Sequence, residues 1–403
     1  MRVALLTNIA TPYRVPVYEA LAATSGWKLR VFVSADSEFD RSWRLQPCSL
    51  DVERVPGLAF LGRNRTRGPV AIEQAVTRHL PLGLLQALRR FGPDVVVSNE
   101  LGARTWLALL YCTILRVPLV MWSYHSRLSA SVAGPVRRAL WRLLLTRAQA
   151  VIGMGVQARQ VLRRLGVPRD RIFDAPNAHD RDGLEQALAG VDAEARLTEL
   201  AEELEGRKRI ALVAGRLVGA KGIGPLLAAW NRLPESLRAD WTLLFIGSGP
   251  LDTLIDEASV AQEEGEIVRV PAVQQSEVIP FYACSDLLVF ASLGDNWGLV
   301  VNEAFACAVP ALVSCFAGCA DDLVEDGENG WVFDPTNGEE FTRALGSALS
   351  SPDLERMAKR ARETAARFQP SVMTAGFRRA IRHAVPNAPR YRSPEAAPDS
   401  ARD

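Results

Sequence analysis

Two carboxylates in the segment DNWGLVVNE stand eight positions apart, at Asp295 and Glu303. The apolar run before this segment predicts a strand, so we expect Asp295 in the loop after it and Glu303 inside a helix that begins at Leu299. A carboxylate accepts hydrogen bonds from hydroxyl groups, and a vicinal diol such as ribose offers two donors to one carboxylate. The spacing therefore indicates a hydroxyl-rich ligand rather than a metal. A structural salt bridge of Glu303 is the open alternative.

Two cations in the segment VAGRLVGAKGIGPLLAAW, residues 213–230, follow another predicted strand. Arg216 and Lys221 lie in the glycine-containing loop between that strand and an amphipathic helix. Open parallel sheets bind ligands at the carboxyl ends of their strands, and cations beside a helix amino terminus suit a diphosphate. The glycine spacing differs from the P-loop pattern GxxxxGK[ST], so ordinary solvated charges are the alternative interpretation.

The chain resembles the retaining glycosyltransferases of family 4, which have the GT-B fold. The resemblance is strong from about 207 to 345, where four blocks follow the family's order and spacing: GRLVGAKGIGPLLAAW, LLFIGSGPL, DLLVFASLGDNWGLVVNEAFACAVPALVS and VEDGENGWVFDP. It implies an α/β protein with two Rossmann-like domains facing each other across a cleft. It also implies transfer of a sugar from a nucleotide-diphosphate donor to an acceptor, with retention at the anomeric carbon.

The resemblance implies roles for single residues in the second half of the chain. Arg216 and Lys221 would hold the diphosphate of the donor and stabilise the leaving group as catalytic residues. Asp295 would reach the hydroxyls of the donor sugar, and Glu303 would bind the nucleotide ribose. The family usually has glutamate where this chain has Asp295, so an unusual donor preference or a lost activity would show first at this position.

The helix start is expected to contribute backbone groups to the same donor site. The amides of Gly298 and Leu299 would be free to donate to an anion. The family usually has glycine where this chain has Ala308, which implies only a slightly different helix end. The other residues predicted on the donor side are Gly215, Val273, Asn296 and Trp297.

The amino-terminal half resembles the family more weakly. His125 follows the predicted strand PLVMWSY, where the family often places a histidine near the donor sugar, so we predict a catalytic role; a surface or packing role is the alternative. The segment after the first strand, NIATPYRVPVYEAL, has none of the glycines that the family often has there. Thr11, Tyr13 and Arg14 in this segment are predicted to lie on the acceptor side.

The candidate site residues must be positioned by the strands and helices around them. Short β-branched runs alternate with helical patterns along the chain, which is typical of parallel sheets crossed over by helices. The predicted strands of the first half lie at 2–8, 29–34, 94–100, 118–124 and 150–155, with helices at 101–116 and 135–148. Those of the second half lie at 209–215, 241–247, 267–272, 286–292, 310–314 and 331–334.

These elements divide the chain into two domains and three smaller parts. We predict an amino-terminal acceptor domain over 1–180, an inter-domain connection over 181–206, a donor domain over 207–370, a helix over 371–385 that packs back on the amino-terminal domain, and a disordered tail over 386–403. The tail is rich in proline, alanine and charge and has no periodicity, which is typical of disorder.

The net charge of +1 conceals an asymmetry between the halves. Residues 1–180 carry 25 Lys and Arg against 12 Asp and Glu, whereas the remainder carries 22 against 34. The basic region 101–169 contains eleven arginines and no acidic residue. With Trp141 on the helix 135–148, this region predicts association with an anionic membrane surface. A core-packed helix with a solvated basic face is the alternative.

The composition sets wider bounds on class and location. A chain of 403 residues with 48% apolar and 23% charged residues is globular and long enough for two cores, which excludes fibrous and wholly disordered classes. No apolar run reaches the roughly 20 residues of a membrane span, and the start lacks signal-peptide features, so we predict a cytoplasmic protein, peripheral on the inner membrane face. The six cysteines form no CxxC pair and are expected to be buried thiols.

The predicted partners are a nucleotide-diphosphate sugar and an unidentified acceptor, a lipid-linked or cell-envelope glycan. We expect no nucleic acid partner, no cofactor and no metal, since the resemblance implies that cations and amides neutralise the diphosphate. Two alternatives come from other classes. A non-catalytic nucleotide-sugar-binding protein of the same fold is suggested by Asp295 and the missing amino-terminal glycines, and a sugar-nucleotide epimerase would need no acceptor.

Overall fold

The computed structural model describes residues 1–36, 48–65, 73–131, 133–179, 184, 209–261, 266–274 and 277–385. The predicted connection over 181–206, apart from Leu184, and the predicted tail over 386–403 lie outside the described residues. Both stay predictions, as do the other domain boundaries.

The first half of the chain contains all five strands that the sequence predicts, together with four others. The strands are β1 (Arg2–Thr7), β2 (Lys28–Val33), β3 (Val52–Arg54), β4 (Leu58–Arg65), β5 (Glu73–Leu80), β6 (Val95–Asn99), β7 (Leu119–Ser123), β8 (Ala150–Gly153) and β9 (Ile172–Asp174). The helices are α1 (Val15–Ala22), α2 (Leu84–Phe91), α3 (Ala103–Leu115), α4 (Arg127–Ser131), α5 (Pro135–Arg147) and α6 (Gly155–Arg164), with 3-10 turns at Pro12–Arg14 and Arg169–Arg171.

The second half contains all six predicted strands. They are β10 (Arg209–Ala214), β11 (Trp241–Ile246), β12 (Ile267–Val270), β13 (Leu287–Phe290), β14 (Ala311–Ser314) and β15 (Gly330–Phe333). The helices are α7 (Ile223–Trp230), α8 (Glu235–Arg238), α9 (Asp252–Val260), α10 (Ile279–Ala283), α11 (Leu299–Ala306), α12 (Ala320–Leu323), α13 (Gly338–Leu349), α14 (Leu354–Ala365) and α15 (Pro370–Ala384), with a 3-10 turn at Gly219–Lys221. Every described helix is too short or too polar to cross a bilayer.

The described strands other than β4 and β5 form two separate parallel sheets, each covered by helices. The first has the order β3-β2-β1-β6-β7-β8-β9 and the second the order β12-β11-β10-β13-β14-β15. Central strands such as β13 are apolar and fully buried, as expected where helices cover both faces of a sheet. The strand order reverses between β1 and β6 and again between β10 and β13, and such reversals open a crevice at the carboxyl ends of the strands.

The last described helix, α15, leaves the second sheet and packs on the first. Phe377 lies edge-on to Trp122 with 4.9 Å between ring centroids, and Met373 and Ile381 are buried in the same apolar cluster. The Arg378 guanidinium donates to the Thr24 hydroxyl at 2.8 Å. The chain therefore crosses between the sheets once more after residue 365, which ties the two halves together.

The hairpin β4–β5 forms its own antiparallel sheet of two strands. The sequence did not predict it, because its apolar residues are too few to show an alternating pattern. Its first strand leaves Phe60 and Leu61 largely exposed, at 52% and 67%.

Candidate functional site

A cavity of about 840 Å³ has walls from both halves of the chain. It lies at the carboxyl ends of β1 and β6 in the first sheet and of β10 and β13 in the second, the two places where the strand order reverses. Every predicted site residue except His125 lines it: Thr11, Tyr13, Arg14, Gly215, Arg216, Lys221, Val273, Asp295, Asn296, Trp297, Gly298, Leu299 and Glu303. The structure thus brings together residues that lie far apart in the sequence.

Lys221 forms an ion pair with Asp295 across the donor side of the cavity. Its ammonium group lies 2.8 Å from Asp295 Oδ2 and 5.0 Å from the centre of the Phe290 ring. Burial alone would raise the pKa of Asp295, but the charge and hydrogen bond of Lys221, the amide of Trp297 and the charge of Arg216 together lower it. The carboxylate therefore stays ionised, and the pair holds Lys221 at the cavity wall.

Glycines let the loops around these cations approach one another closely. Gly247, with φ 149°, follows β11, and a Cβ there would lie 1.9 Å from the carbonyl oxygen of Gly215. Gly222, with φ 69°, precedes α7, and its Cβ would lie 2.0 Å from the oxygen of Ala291. Only glycine adopts such conformations without strain, so the Arg216 loop depends on these positions.

The loop over 295–298 is fixed by hydrogen bonds at both ends. Asp295 Oδ1 accepts from the Trp297 amide at 3.0 Å, and the Asp295 carbonyl accepts from the Gly318 amide at 3.0 Å. Gly298 has φ 106° and begins α11, whose first amides have no acceptor within the helix. Trp297 is only 3% exposed and its indole donates to Asn302 Oδ1, so its side chain anchors the loop.

Glu303 lies one turn into α11, at the cavity wall. Its Oε2 accepts from the Tyr282 hydroxyl at 2.7 Å, and its Oε1 lies 3.8 Å from His179 Nδ1. Burial and then the carboxylate raise the pKa of Tyr282 well above its ordinary value, so Tyr282 stays a hydrogen-bond donor. Within the described residues, no arginine or lysine pairs with Glu303, and His179 would form an ion pair with it only when protonated, so the salt-bridge alternative stays open.

Models of two glycosyltransferase families match successive parts of the chain. The Glycosyl transferase 4-like domain matches residues 10–178, and Glycosyl transferases group 1 matches residues 197–365. The GDP-mannose-dependent alpha-(1-6)-phosphatidylinositol monomannoside mannosyltransferase of Mycolicibacterium smegmatis is 30% identical over 279 residues, which cover 66% of this chain and 70% of that protein. This chain is a group 1 glycosyl transferase family member.

Other relatives match this chain over smaller shares of their own length. The sulfoquinovosyl transferase SQD2 of Arabidopsis thaliana is 25% identical over 73% of this chain, and the D-inositol 3-phosphate glycosyltransferase of Xylanimonas cellulosilytica is 29% identical over 53% of it. The chain spans 58% of the first and 51% of the second.

Solved structures confirm the predicted GT-B fold of this family member. Anabaena Alr3699/HepE in complex with UDP-glucose superposes with a TM-score of 0.70 at 18% identity, covering 95% of this chain and 99% of that one. WaaG, a glycosyltransferase involved in lipopolysaccharide biosynthesis, superposes with a TM-score of 0.65 at 18% identity, covering 94% and 98%.

His125 is the one predicted site residue that does not line the cavity. In this family member the neighbouring Tyr124 lines the cavity, whereas the imidazole of His125 packs edge-on against Trp141 with 4.4 Å between centroids. Its Nδ1 lies 3.0 Å from the Ser123 hydroxyl. Burial and then the charge of Arg137 lower the pKa of His125 to about 4. These contacts favour the packing alternative, and the catalytic role of His125 stays a prediction.

Sequence reasoning missed several residues that line the cavity. Asn8, Glu100 and Tyr124 lie at the ends of predicted strands, where parallel sheets bind ligands, so the strand assignment itself gave the signal. Tyr282 precedes no recognisable motif, and its contact with Glu303 follows from the packing of α10 on α11. The six cysteines are free thiols as expected, but Cys112 and Cys319 alone are buried, and the other four are half-buried.

Two aspartates of α12 join the second half of this family member to the first. Asp322 Oδ2 accepts from the Val156 amide at 2.8 Å, at the start of α6, and Asp321 forms an ion pair with Arg127. Burial is the main cause that raises the pKa of Asp322 to about 6, against the opposing Val156 hydrogen bond. These contacts hold the two halves in the arrangement that shapes the cavity.

We expect the stability that depends on Asp322 to fall as the pH rises, because ionising this partly buried carboxyl costs free energy. The folded pKa of Asp322 lies above its ordinary 3.8, so its stabilisation is complete below pH 4 and is lost as the pH rises through about 6. Asp322→Asn keeps an acceptor for the Val156 amide but cannot ionise. Because Asp322 is partly exposed, the gain over wild type should be only about 1 kcal/mol at pH 7, a Tm rise of about 2–4 °C.

Thermal unfolding of both proteins from pH 4 to pH 7 measures this difference. The matched control is Asp353→Asn, at an exposed position. Its Tm difference from wild type should stay the same from pH 4 to pH 7. A Tm difference between Asp322→Asn and wild type that stays constant over this range would contradict the expectation.

Proposed function

We propose that this protein is a retaining glycosyltransferase that moves a sugar from a nucleotide-diphosphate sugar to an acceptor. The observation that carries the proposal is the convergence of Arg216, Lys221, the first amides of α11 and Glu303 on one cavity. Cations and free amides suit a diphosphate, and a half-buried carboxylate suits a ribose diol. All of these groups line the same cavity, so one nucleotide sugar could contact them together.

In this proposal Arg216 and Lys221 neutralise the charge that develops on the departing diphosphate. Preorganised charges that stabilise the leaving group are a large source of rate enhancement, and here they need no bound metal. Asp295 forms an ion pair with Lys221. In this proposal its carboxylate also orients the hydroxyls of the donor sugar. The departing phosphate takes the proton of the acceptor hydroxyl on the face from which it leaves, which retains the anomeric configuration.

The relatives support this reading of donor and acceptor. The Anabaena structure holds UDP-glucose, and two relatives carry sugar transfer to lipids or phosphorylated inositols in their names. We propose that the donor lies against the second sheet and the acceptor, a lipid-linked or cell-envelope glycan, against the first. Thr11, Tyr13 and Arg14 line the acceptor side, and the Arg14 guanidinium is held 4.4 Å above the ring of Trp122.

The test is a panel of nucleotide sugars incubated with and without candidate acceptors. The proposal expects release of nucleoside diphosphate that increases with an acceptor, survives a chelator and gives a product of retained configuration by NMR. Binding without release would support a non-catalytic binding protein, and an isomerised donor would support an epimerase. Inverted configuration, or a chelator-sensitive rate, would contradict the mechanism proposed here.

We further propose that the protein acts in the cytoplasm, docked on the inner membrane face through the basic region 101–169. Its helices α3 and α5 pack on each other and leave apolar side chains exposed. These are Leu110 at 49%, Ile114 at 68%, Val136 at 73%, Leu140 at 44% and Leu143 at 41%. The same helix α5 also carries exposed arginines, including Arg138 and Arg142. Apolar side chains together with arginines suit the interface of an anionic bilayer.

The structure changes which residues of α5 carry this proposal. Trp141 was expected at the membrane, yet it is 4% exposed and packs in the core with Leu145. One face of α5 is thus packed, as the alternative held, while the opposite face carries Leu140 and Leu143.

Binding to liposomes that contain anionic lipid should fall about tenfold or more in the double variant Arg138→Glu/Arg142→Glu, since each basic residue contributes about 1 kcal/mol near such a surface. Wild-type binding should also weaken with salt. The control Arg343→Glu/Lys359→Glu makes the same charge change on exposed residues of the second half and should bind like wild type. Co-sedimentation with liposomes measures the binding of each variant. Binding that does not depend on the anionic lipid content would contradict the proposed membrane surface.

A further inference from the structure

Glu100 adopts a backbone conformation that is rare for its residue type. It follows β6 directly, has φ 65° and lines the cavity on the side of the first sheet. A non-glycine residue with positive φ carries strain, and such strain persists where the surroundings hold the residue in place. Here the strain turns the carboxylate at the end of β6 towards the cavity.

The surroundings of Glu100 form a network that fixes its carboxylate. The Asn8 side-chain amide donates to Glu100 Oε1 at 2.7 Å, and the Thr105 hydroxyl donates to the Glu100 carbonyl at 2.7 Å. Arg104, only 4% exposed, lies 3.5 Å from Glu100 Oε2 and also binds Asn8 and Asn99. The guanidinium is committed to this network, so it holds the carboxylate and does not face a ligand.

Two buried polar atoms on the same wall lack protein partners. Thr11 is 2% exposed and Asn177 is 4% exposed, and neither Thr11 Oγ1 nor Asn177 Oδ1 has a hydrogen-bond partner among the described residues. Both residues line the cavity beside Glu100. A buried polar atom without a partner is costly, so these two atoms indicate a ligand that brings hydrogen-bond donors.

We infer that Glu100, Asn8, Thr11, Tyr124 and Asn177 form a subsite that binds the hydroxyls of an uncharged sugar or polyol unit of the acceptor. The carboxylate and the Asn177 carbonyl accept from hydroxyl groups, and a vicinal diol matches the two oxygens of Glu100. None of these five residues is a cation, so the subsite offers a phosphate no charged partner. The inference rests on the proposed function and identifies Glu100 as the residue that selects and orients the acceptor.

The subsite is tested by NMR titration of the protein saturated with its nucleoside diphosphate. The probes are methyl α-glucoside, methyl α-mannoside, methyl α-galactoside and myo-inositol, each beside its phosphorylated counterpart. At least one neutral probe should bind the wild-type protein more tightly than its phosphorylated form does. Wild-type protein that binds none of the neutral probes, or prefers the phosphates, would overturn the inference.

Two variants separate the subsite from the fold. Glu100→Gln keeps an acceptor for Asn8 and should weaken the neutral probe about tenfold, as loss of a charged acceptor does. Thr11→Val removes a hydroxyl that has no protein partner, so it should fold like wild type and weaken the probe about fivefold. The exposed Glu257→Gln is the control. Unchanged probe affinity in both variants would overturn the inference.

The affinity for the nucleoside diphosphate distinguishes this inference from the proposed function. Both variants should bind the nucleotide as wild type does, because Glu100 and Thr11 lie on the wall of the first sheet. A wild-type protein that binds no nucleotide would refute the proposed function itself. Nucleotide affinity that falls together with probe affinity would assign Glu100 to the donor instead and refute the subsite.

Discussion

Replacing Lys221 with alanine is expected to lower kcat by about two to three orders of magnitude, the usual cost of removing one preorganised group that stabilises transition-state charge. Lys221 is 21% exposed at its side chain and is held by Asp295 at 2.8 Å. The ammonium is therefore in place before the donor binds. Its loss also leaves the Asp295 carboxylate uncompensated beside the diphosphate, which adds repulsion to the loss of attraction.

The same loss is expected for Arg216→Ala, because both cations line the donor side of the cavity. Steady-state rates with the donor identified by the panel measure kcat for each variant, and thermal unfolding checks the fold. Lys359→Ala, an exposed lysine of α14, is the matched control and should turn over normally. Near-normal kcat in either Lys221→Ala or Arg216→Ala would remove the proposed role of that residue.

A double variant separates the two contributions of Lys221. In Lys221→Ala/Asp295→Asn the carboxylate that would repel the diphosphate is absent. If repulsion is a large part of the loss, this double variant should be more active than Lys221→Ala alone. If Asp295 instead orients the donor sugar, as the resemblance implies, it should be less active. The result decides whether Asp295 acts mainly on Lys221 or on the sugar.

The parallel sheets could be predicted from the sequence because their strands are short apolar runs between helical patterns. Covered on both faces, a strand such as β13 must be apolar along its length, and its carboxyl end then marks the site. The same logic placed Arg216 and Asp295 at one crevice although 78 positions separate them. Gly298 signalled a helix start, and the structure begins α11 there.

Other features depend on contacts that no local pattern reveals. The conformation of Glu100 is imposed by Asn8 and Arg104, and nothing in the residue type announces a positive φ. The role of Asp322 requires the start of α6, which lies more than 160 residues earlier, to reach α12. His125 follows a strand as expected, but whether such a residue points into a crevice or into the core is settled by packing against Trp141.

The Asp322 and Glu100 contacts show how the halves divide the work. The second sheet supplies the cations and Glu303, and the first supplies a carboxylate and unpaired polar atoms on the opposite wall. The hydrogen bond of Asp322 to the start of α6 joins the two halves. Acceptor selection and donor binding therefore respond to different residues, which is why the variants proposed above should separate them.

Nucleotide recognition provides the last test, because Glu303→Ala is expected to weaken nucleoside diphosphate binding about tenfold to hundredfold. Glu303 is 13% exposed at its side chain, and Tyr282 binds one oxygen while the other faces the cavity wall. Loss of the charge-assisted hydrogen bond to ribose should also remove the preference for a nucleotide that has ribose hydroxyls. Wild type should prefer the ribonucleotide to its 2′,3′-dideoxy form, and Glu303→Ala should bind both equally.

Removing Glu303 leaves the buried Tyr282 hydroxyl without its acceptor, and this could lower stability for reasons unrelated to ribose. Glu303→Ala/Tyr282→Phe removes both partners and should recover most of the lost Tm while binding nucleotide as weakly as Glu303→Ala. Tyr282→Phe alone should keep the ribose preference, because the carboxylate remains. Calorimetric titration of wild type and the three variants with the ribonucleotide and its dideoxy form measures this preference. A ribose preference that survives in Glu303→Ala would show that another group binds the ribose hydroxyls.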